Sequence, residues 1–355
     1  MNALVIGRCP KTAEQLRTFC NQVIIVLDES FARERSLPEL NEYIVEYCKS
    51  NISSVKGIIP RAKEILCLIK KYNIDIVFSN TKWDMVAAKL ASKFCSKKIF
   101  LFATSHNSYS WQKYYNTLLM SFLIKLTTDC YVALASFVYN KLKLMGHKEN
   151  KLVLVPNTVG YETWMVKKDY SYNNQFRMVY VAYVCPGKCQ DIIADVLNIL
   201  NDKYDVVVDC YGDLDEHIEY VEVINKKITN MHLKGKLNLK GKIENADLRV
   251  ILKNYDAYFS ASKMEMSPVN ILEAQAAGLP VIAARAGGIP DIIKDGETGL
   301  LFEVENVQSM VQKIEMLIDN KDLREYLGCS GRYYVSNVYT KVQAGERLKS
   351  AIYTK

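Results

Sequence analysis

The stretch SASKMEMSPVNILEAQAAGLPVIAARAGG, residues 260–288, decides how the chain is read. Ser267 is a residue type that caps a helix N-terminus, and Pro268 suits the first helical position, where its missing N–H costs nothing. Gly278 fits just past a helix end and Pro280 blocks continuation, so the spacing predicts a helix over 268–277. VIAA (281–284) then reads as a buried strand of a parallel sheet, and Gly287-Gly288 as a turn. Glu265 falls in the loop before the helix and Glu273 inside it. Both lie near a positive helix end whose free N–H groups attract phosphate. On spacing alone, a solvated loop acid and a surface helix acid describe the pair equally well.

Outward from this strand–helix–strand unit the same alternation repeats. NALVIG, QVIIVL, IDIVFSN, KKIFLFAT, CYVALA and KLVLVP read as strands of a first half, with amphipathic stretches such as PRAKEILCLIKKY and DMVAAKLASKF between them. After PNTVGYETW and the polar KKDYSYNNQ the pattern restarts with RMVYVAY, DVVVDCY, LNLKG, DAYFSAS and LPVIAA. Such alternation means parallel sheets covered by helices. The chain therefore reads as α/β, two Rossmann-like doubly wound domains facing across a cleft. The first spans 1–158 and the second 159–336, with a helical tail, 337–355, that is able to pack back on the first. Ligands of doubly wound sheets bind at the carboxyl ends of the strands, which directs attention to the strand-to-helix loops.

Composition agrees with two globular domains: 355 residues, 49% hydrophobic and 24% charged. MNALVIG runs straight into a strand, so no signal peptide is expected. The apolar run LLMSFLIKL (118–126) is too short to span a bilayer and reads as core, with a membrane-leaning face as the alternative. Ten cysteines are scattered without paired spacing apart from Cys185 and Cys189, which argues for reduced thiols in the cytoplasm and against zinc. Residues 1–160 hold 22 Lys+Arg against 12 Asp+Glu, a net of +10, and the remainder 24 against 27, a net of −3. A basic first half suggests an anionic substrate or membrane surface, with lysine-rich solubilisation as the plain alternative. Nucleic acid is a poor third reading and is not expected as a partner, because the basic tracts lack interleaved aromatics and any DNA-binding motif.

Three further loops stand out. IGRCPKT, after the first strand, lacks G-x-G-x-x-G and argues against a nicotinamide dehydrogenase. FATSHNSYSW carries His106, followed by an aromatic run (Tyr109, Trp111, Tyr114, Tyr115) that reads as packing. VAYVCPGKCQD carries Lys188 at a helix start. A cation there opposes the dipole and makes sense where an anion binds. A solvated lysine and a loop histidine are the ordinary alternatives.

These residues resemble the retaining glycosyltransferases of family 4, which have the GT-B fold. The resemblance covers most of the chain. It rests on Glu265-x7-Glu273 followed by Ala274, Gly278, Pro280-Val281, Gly287-Gly288 and Gly296-x2-Gly299-Leu300-Leu301, supported by Lys188 in PGKCQD, Gly212-Asp213, Gly241, Asp256, Ser262, Pro156-Asn157 and His106. It implies that Glu273 binds the nucleotide's ribose hydroxyls and that Glu265 hydrogen-bonds the donor sugar near the reacting carbon. The helix start at Ser267, Val269 and Asn270 would hold the diphosphate. Lys188 would neutralise the leaving phosphate, and His106 would contact the sugar. Backbone near Lys242 and Ile243 would hold the base. No metal and no cofactor are implied beyond the nucleoside-diphosphate sugar as substrate, and no Asp-x-Asp ligand pair is present.

The chain also departs from the family. Tyr183 stands where the family usually has arginine, Cys189 follows the lysine in place of glycine, and Met266-Ser267 replaces Gly-Phe. The first loop lacks paired glycines; Arg8 and Lys11 are the cations nearest to hand there. The resemblance thus implies sugar transfer from a nucleotide sugar to a glycan or lipid-linked acceptor, as in bacterial cell-surface polysaccharide or lipopolysaccharide synthesis, by a cytoplasmic or peripherally membrane-attached enzyme. The alternatives are a catalytically impaired sugar-nucleotide-binding or scaffold protein and a nucleotide-sugar epimerase.

Overall fold

The computed structural model describes residues 1–7, 10–29, 40–50, 55–104 and 114–353. They form two α/β units, Met1–Asn157 with Lys341–Lys355, and Thr158–Thr340. The first holds strands β1 (Asn2–Ile6), β2 (Gln22–Asp28), β3 (Ile44–Cys48), β4 (Ile76–Ser79), β5 (Phe100–Ala103), β6 (Cys130–Ala133) and β7 (Leu152–Leu154), in the order β3-β2-β1-β4-β5-β6-β7. The second holds β8 (Phe176–Val181), β9 (Val206–Tyr211), β10 (Leu237–Gly241), β11 (Ala257–Ser260), β12 (Val281–Ala284) and β13 (Leu300–Phe302), in the order β10-β9-β8-β11-β12-β13. All these pairings are parallel. In both sheets the winding reverses once, between β1 and β4 and between β8 and β11. Crevices for ligands open at such reversals, beyond the strands' carboxyl ends.

The central strands are unbroken apolar runs because helices cover both faces, and β4, β5, β11 and β12 are buried along their whole length. In the second unit Phe259 stacks on Phe302 at 5.5 Å and meets Tyr180 edge-on, which links β8, β11 and β13 across one face. Two strands were not anticipated. β3 is an edge strand with Ile44 and Tyr47 exposed, so it lacks a continuous apolar run. β13 is only three residues long.

The helix predicted over 268–277 spans Val269–Ala276. The N-cap is Pro268 rather than Ser267, with φ −68° and ψ 113°, and no side chain caps the helix. Proline's fixed φ is compatible with extended ψ, so the helix starts one residue later and Ser267 is buried outside it. At the other end Gly278, with φ +75°, donates to the Gln275 carbonyl and Leu279 to that of Ala274, a Schellman closure.

The apolar run 118–126 lies in helix Tyr114–Thr127, and the expectation of core holds for only half of it. Met120, Leu123 and Ile124 are buried, whereas Leu118, Leu119, Phe122 and Leu126 are exposed. Helix Lys341–Tyr353 packs on helix Pro10–Arg17 and on β7, within the first unit. Among the described residues no helix is long and apolar enough to cross a membrane.

Candidate functional site

The carboxyl ends of β8 and β11, at Val181 and Ser260, flank the reversal of the second sheet. Two loops leave them, 182–189 and 261–268. Tyr180, buried one residue before the end of β8, donates its hydroxyl to the Lys188 carbonyl at 2.9 Å and sits 2.9 Å from the Ser262 hydroxyl. Its single proton goes to the carbonyl, so Ser262 is the donor in the second bond. Burial pushes the Tyr180 phenol well above its ordinary pKa, so it remains a donor. The Lys263 N–H donates to the Gly187 carbonyl at 3.0 Å, joining the two loops directly. These bonds bring Lys188 and Glu265 together although 77 positions separate them, and Lys188 Nζ forms an ion pair with Glu265 Oε1. Both side chains are largely buried, at 21% and 15% exposure.

The Glu265 backbone is fixed from behind. The Gly288 N–H donates to the Glu265 carbonyl at 2.8 Å. Gly287 has φ +55°, and a Cβ there would lie 2.1 Å from the Glu265 carbonyl oxygen and 3.0 Å from its nitrogen. Only glycine allows this approach. The two glycines of the motif therefore shape the loop that carries the acid.

Lys188 ends a single 3-10 turn, Pro186–Lys188, and Cys189 in the left-handed region (φ 55°) starts helix Gln190–Leu200. The cation that looked out of place at a helix start has an anionic partner, the Glu265 carboxylate. Tyr183, where the resemblance expects arginine, is 64% exposed, and its carbonyl accepts from the buried Gln190 amide at 2.8 Å.

Asn270 lies in the first turn of helix Val269–Ala276. Its side-chain amide donates to the Val181 carbonyl and its Oδ1 accepts from the Ile271 N–H at 3.0 Å. The side chain thus ties the helix start to the end of β8, next to the Tyr258 hydroxyl, which donates to the same carbonyl at 3.1 Å. The Val269 and Asn270 amides belong to the first turn, beyond the reach of the helix's own carbonyls. Glu273 lies one turn further on, half-buried, with the Asn245 amide 3.5 Å from its Oε1.

Lys242 and Ile243 follow β10. The Lys242 ammonium pairs with Asp213 at 2.7 Å and draws that carboxyl below its usual range, while Ile243 packs on the core. Gly212 is what lets these loops adjoin the β8 loop, because a Cβ there would sit 1.9 Å from the Ala182 carbonyl oxygen. Its N–H also bonds the Gly241 carbonyl at 2.9 Å. The structure thus gathers Lys188, Glu265, Asn270 and Tyr183 around the β8 and β11 ends, and sets Lys242 and Ile243 on the adjoining β10 loop. His106 lies outside the described residues, as do Arg8, Tyr109 and Trp111. Among the described residues no three His, Cys, Asp or Glu side chains gather as a metal-ligand set.

Tyr180 and Asn245 were not singled out in the sequence. A tyrosine closing an apolar strand and an asparagine opening a helix carry no signal by themselves; their roles appear only once distant loops meet.

Two parallel-sheet Rossmann-like units in tandem define the GT-B class. The structure of Anabaena HepE in complex with UDP and glucose matches the fold with a TM-score of 0.82 over 100% of both chains, at 18% identity. Residues 11–162 match the family model Glycosyltransferase Family 4, and residues 165–333 match Glycosyl transferases group 1. The chain thus belongs to the GT-B glycosyltransferases that join these two domains. It is similar to an uncharacterized 41.2 kDa protein in the cps region of Klebsiella pneumoniae, 25% identical over 74% of each chain. It is also similar to the capsular polysaccharide biosynthesis glycosyltransferase CapM of Staphylococcus aureus, 38% identical over 22% of this chain and 21% of that protein. Other curated relatives are matched over 19%, 54% and 18% of their own lengths, so the chain spans about half or less of these proteins.

Proposed function

We propose that the protein is a retaining hexosyltransferase that works without a metal, moving a sugar from a nucleoside-diphosphate sugar to a glycan or lipid-linked acceptor in cell-surface polysaccharide synthesis. The observation that carries this reading is the Lys188–Glu265 pair, held at the reversal of the second sheet with the start of helix Val269–Ala276 beside it. An ammonium and a carboxylate in contact suit a substrate with an anionic leaving group on one side and hydroxyls on the other.

In the reaction, the bond between the sugar's anomeric carbon and the β-phosphate oxygen breaks. A new bond forms from the acceptor hydroxyl oxygen to that carbon on the same face. The hydroxyl proton passes to the departing phosphate oxygen, and the nucleoside diphosphate leaves. Lys188 opposes the negative charge that grows on the phosphate, a contribution larger in the transition state than in the bound substrate. The first-turn amides at Val269 and Asn270, with the Ser267 backbone before them, hold the diphosphate. Glu265 accepts from sugar hydroxyls near the reacting carbon. Glu273 accepts from the two ribose hydroxyls, as an ionised carboxylate is able to do. Backbone at Lys242 and Ile243 receives the base, and Tyr183 flanks the diphosphate side.

The structures of HepE with UDP, with UDP and glucose, and with UDP-glucose support a nucleotide-sugar donor. The relatives from capsule synthesis support a polysaccharide product. We place the protein in the cytoplasm, attached peripherally to the inner membrane face. The exposed Tyr183 favours a second reading, a sugar-nucleotide-binding protein with impaired turnover.

Thermal melting with UDP, GDP, ADP and CMP tests the binding. A ligand present at 100 times its Kd adds about 2.7 kcal/mol of stability, or roughly 5–10 °C for a unit of this size. Consumption of the matched nucleotide sugar then separates the enzyme from the binding protein. No shift with any nucleotide would overturn both readings.

A further inference from the structure

Helix Asn245–Ile251 follows the β10 loop that carries Lys242 and Ile243. Its start is weakly held: Glu244 occupies the N-cap without a side-chain cap, and Leu248 alone in the helix is buried. Its later part is braced on the 161–165 segment. The Met165 N–H donates to the Arg249 carbonyl at 3.3 Å, and the Arg249 guanidinium lies 5.8 Å from the ring centre of the buried Trp164. The turn Tyr161–Thr163 of the same segment packs on helix Val269–Ala276. One short stretch of chain thus supports both helices.

A second tie joins the two helices through side chains. Arg249 Nε donates to Asn245 Oδ1 at 2.8 Å, one helical turn back. With that oxygen engaged as an acceptor, the Nδ2 end of the amide faces Glu273, 3.5 Å from its Oε1. The order Trp164, Arg249, Asn245, Glu273 therefore runs from a buried aromatic ring to the acid, and each group orients the next.

The residue types suit a carboxylate that must still bind hydroxyls. A lysine or arginine at 245 would pair with Glu273 outright and compete with hydroxyl donors. A neutral amide takes one lone pair of Oε1 and leaves acceptor capacity on both oxygens. The cation stays one residue removed, because the Arg249 Nε–H is engaged by Asn245. Asn245 also stands just after Lys242 and Ile243 in the chain. The link therefore bridges the two elements between which a nucleoside lies in the function proposed above, its base on one and its ribose on the other.

We infer that Asn245, oriented by Arg249, is a specificity-determining residue for the donor's ribose. It holds the Glu273 carboxylate in the direction that accepts from the 2′- and 3′-hydroxyls. This rests on the donor reading above and deepens it, by assigning discrimination between ribose and deoxyribose to a residue outside the acid itself. A 2′-deoxy nucleotide brings one hydroxyl fewer to the fixed carboxylate, so it gains less from a well-oriented Glu273. Loosening the acid costs the ribonucleotide more than the deoxy form.

Calorimetry on the full chain with UDP and 2′-deoxy-UDP tests this, with GDP or ADP and their 2′-deoxy forms used where these give the larger melting shift. The wild type binds the ribonucleotide more tightly. Asn245→Ala weakens ribonucleotide binding by about three- to tenfold, as expected for one hydrogen bond to a charged group at an exposed site, and narrows the ratio between the two ligands. Arg249→Met narrows the ratio too, and adds nothing once residue 245 is alanine. Asn245→Asp weakens binding further than alanine does, because it sets a like charge against Glu273. In a Glu273→Ala background the Asn245→Ala change has no further effect. The melting temperature of unliganded Asn245→Ala stays near that of the wild type, since the side chain is exposed. Unchanged affinities, equal losses for both ligands, or a loss that persists in the Glu273→Ala background would overturn the inference. So would a lowered melting temperature with an unchanged ratio, which would leave the link as a brace between helices. Each of these outcomes leaves the wild-type melting shift, and with it the donor reading, in place; no shift with any nucleotide overturns that reading and this inference together.

Discussion

Replacing Gly287 by alanine tests whether the loop behind Glu265 is as tightly set as its geometry indicates. The added Cβ lies 2.1 Å from the Glu265 carbonyl oxygen and 3.0 Å from its nitrogen. An ordinary carbon–oxygen contact is about 3.3 Å, so one of two backbones must give way by roughly 1 Å. The Met264 sulfur, 2.7 Å from the same Cβ, is able to swing aside, but the two Glu265 backbone atoms are not. At φ +55° the alanine also adopts a left-handed conformation, costing about 1–2 kcal/mol. The Gly288-to-Glu265 hydrogen bond, 2.8 Å long, is lost or stretched at a cost of about 1 kcal/mol. The total, about 2–3 kcal/mol, lowers the melting temperature by roughly 5–10 °C. If Glu265 acts as proposed, a displacement of ~1 Å there costs on the order of 10² in turnover. Nucleotide affinity, measured by calorimetry, stays within a few-fold, because Glu273 and the first-turn amides lie on the helix and not on this loop. A Gly287→Ala protein that melts with the wild type and consumes donor within a few-fold of its rate would refute the argument.

Other perturbations separate the roles further. Lys188→Ala lowers turnover by ~10²–10³ while leaving the fold intact, since its ion pair is local to the site; donor consumption and a melting curve check both halves. Glu273→Ala weakens nucleotide binding, whereas Glu265→Ala mainly lowers turnover, and equal affinity losses in calorimetry would contradict that division. His147 sets an acid-side dependence. Burial and the nearby lysines hold its folded pKa below the unfolded value of about 6.5, so the unfolded chain binds more protons between the two values. Its contribution to stability is complete above about pH 6.5 and is lost as pH falls below that. Unfolding free energies for wild type and His147→Gln should diverge in slope there, and parallel curves would rule the histidine out.

Much of this architecture was legible in the sequence because both sheets are parallel and covered, which forces strands such as VIAA and FLFA into plain apolar runs. β3 escaped notice because Glu46 interrupts its short apolar run and Ile44 and Tyr47 face solvent, and β13 because three residues make no pattern. Helix Val269–Ala276 was legible from Pro268, Gly278 and Pro280, and the cap shifted by one residue because proline itself fits the non-helical position. The apolar run 118–126 read as core because periodicity does not say which side of a helix that is apolar all round meets solvent. The Lys188–Glu265 contact was not legible at all. It joins loops 77 positions apart and depends on the Tyr180 hydroxyl and on glycines whose approach distances exist only in three dimensions.

The most direct test of the central claim follows the anomeric proton of the matched nucleotide sugar by NMR during incubation with the protein and acceptor glycans. The proposed reaction predicts loss of the donor signal, release of the nucleoside diphosphate, and a first-formed product with the donor's anomeric configuration. Consumption that yields the opposite configuration, or no consumption of any sugar linked to the nucleotide that raises the melting temperature, would contradict it.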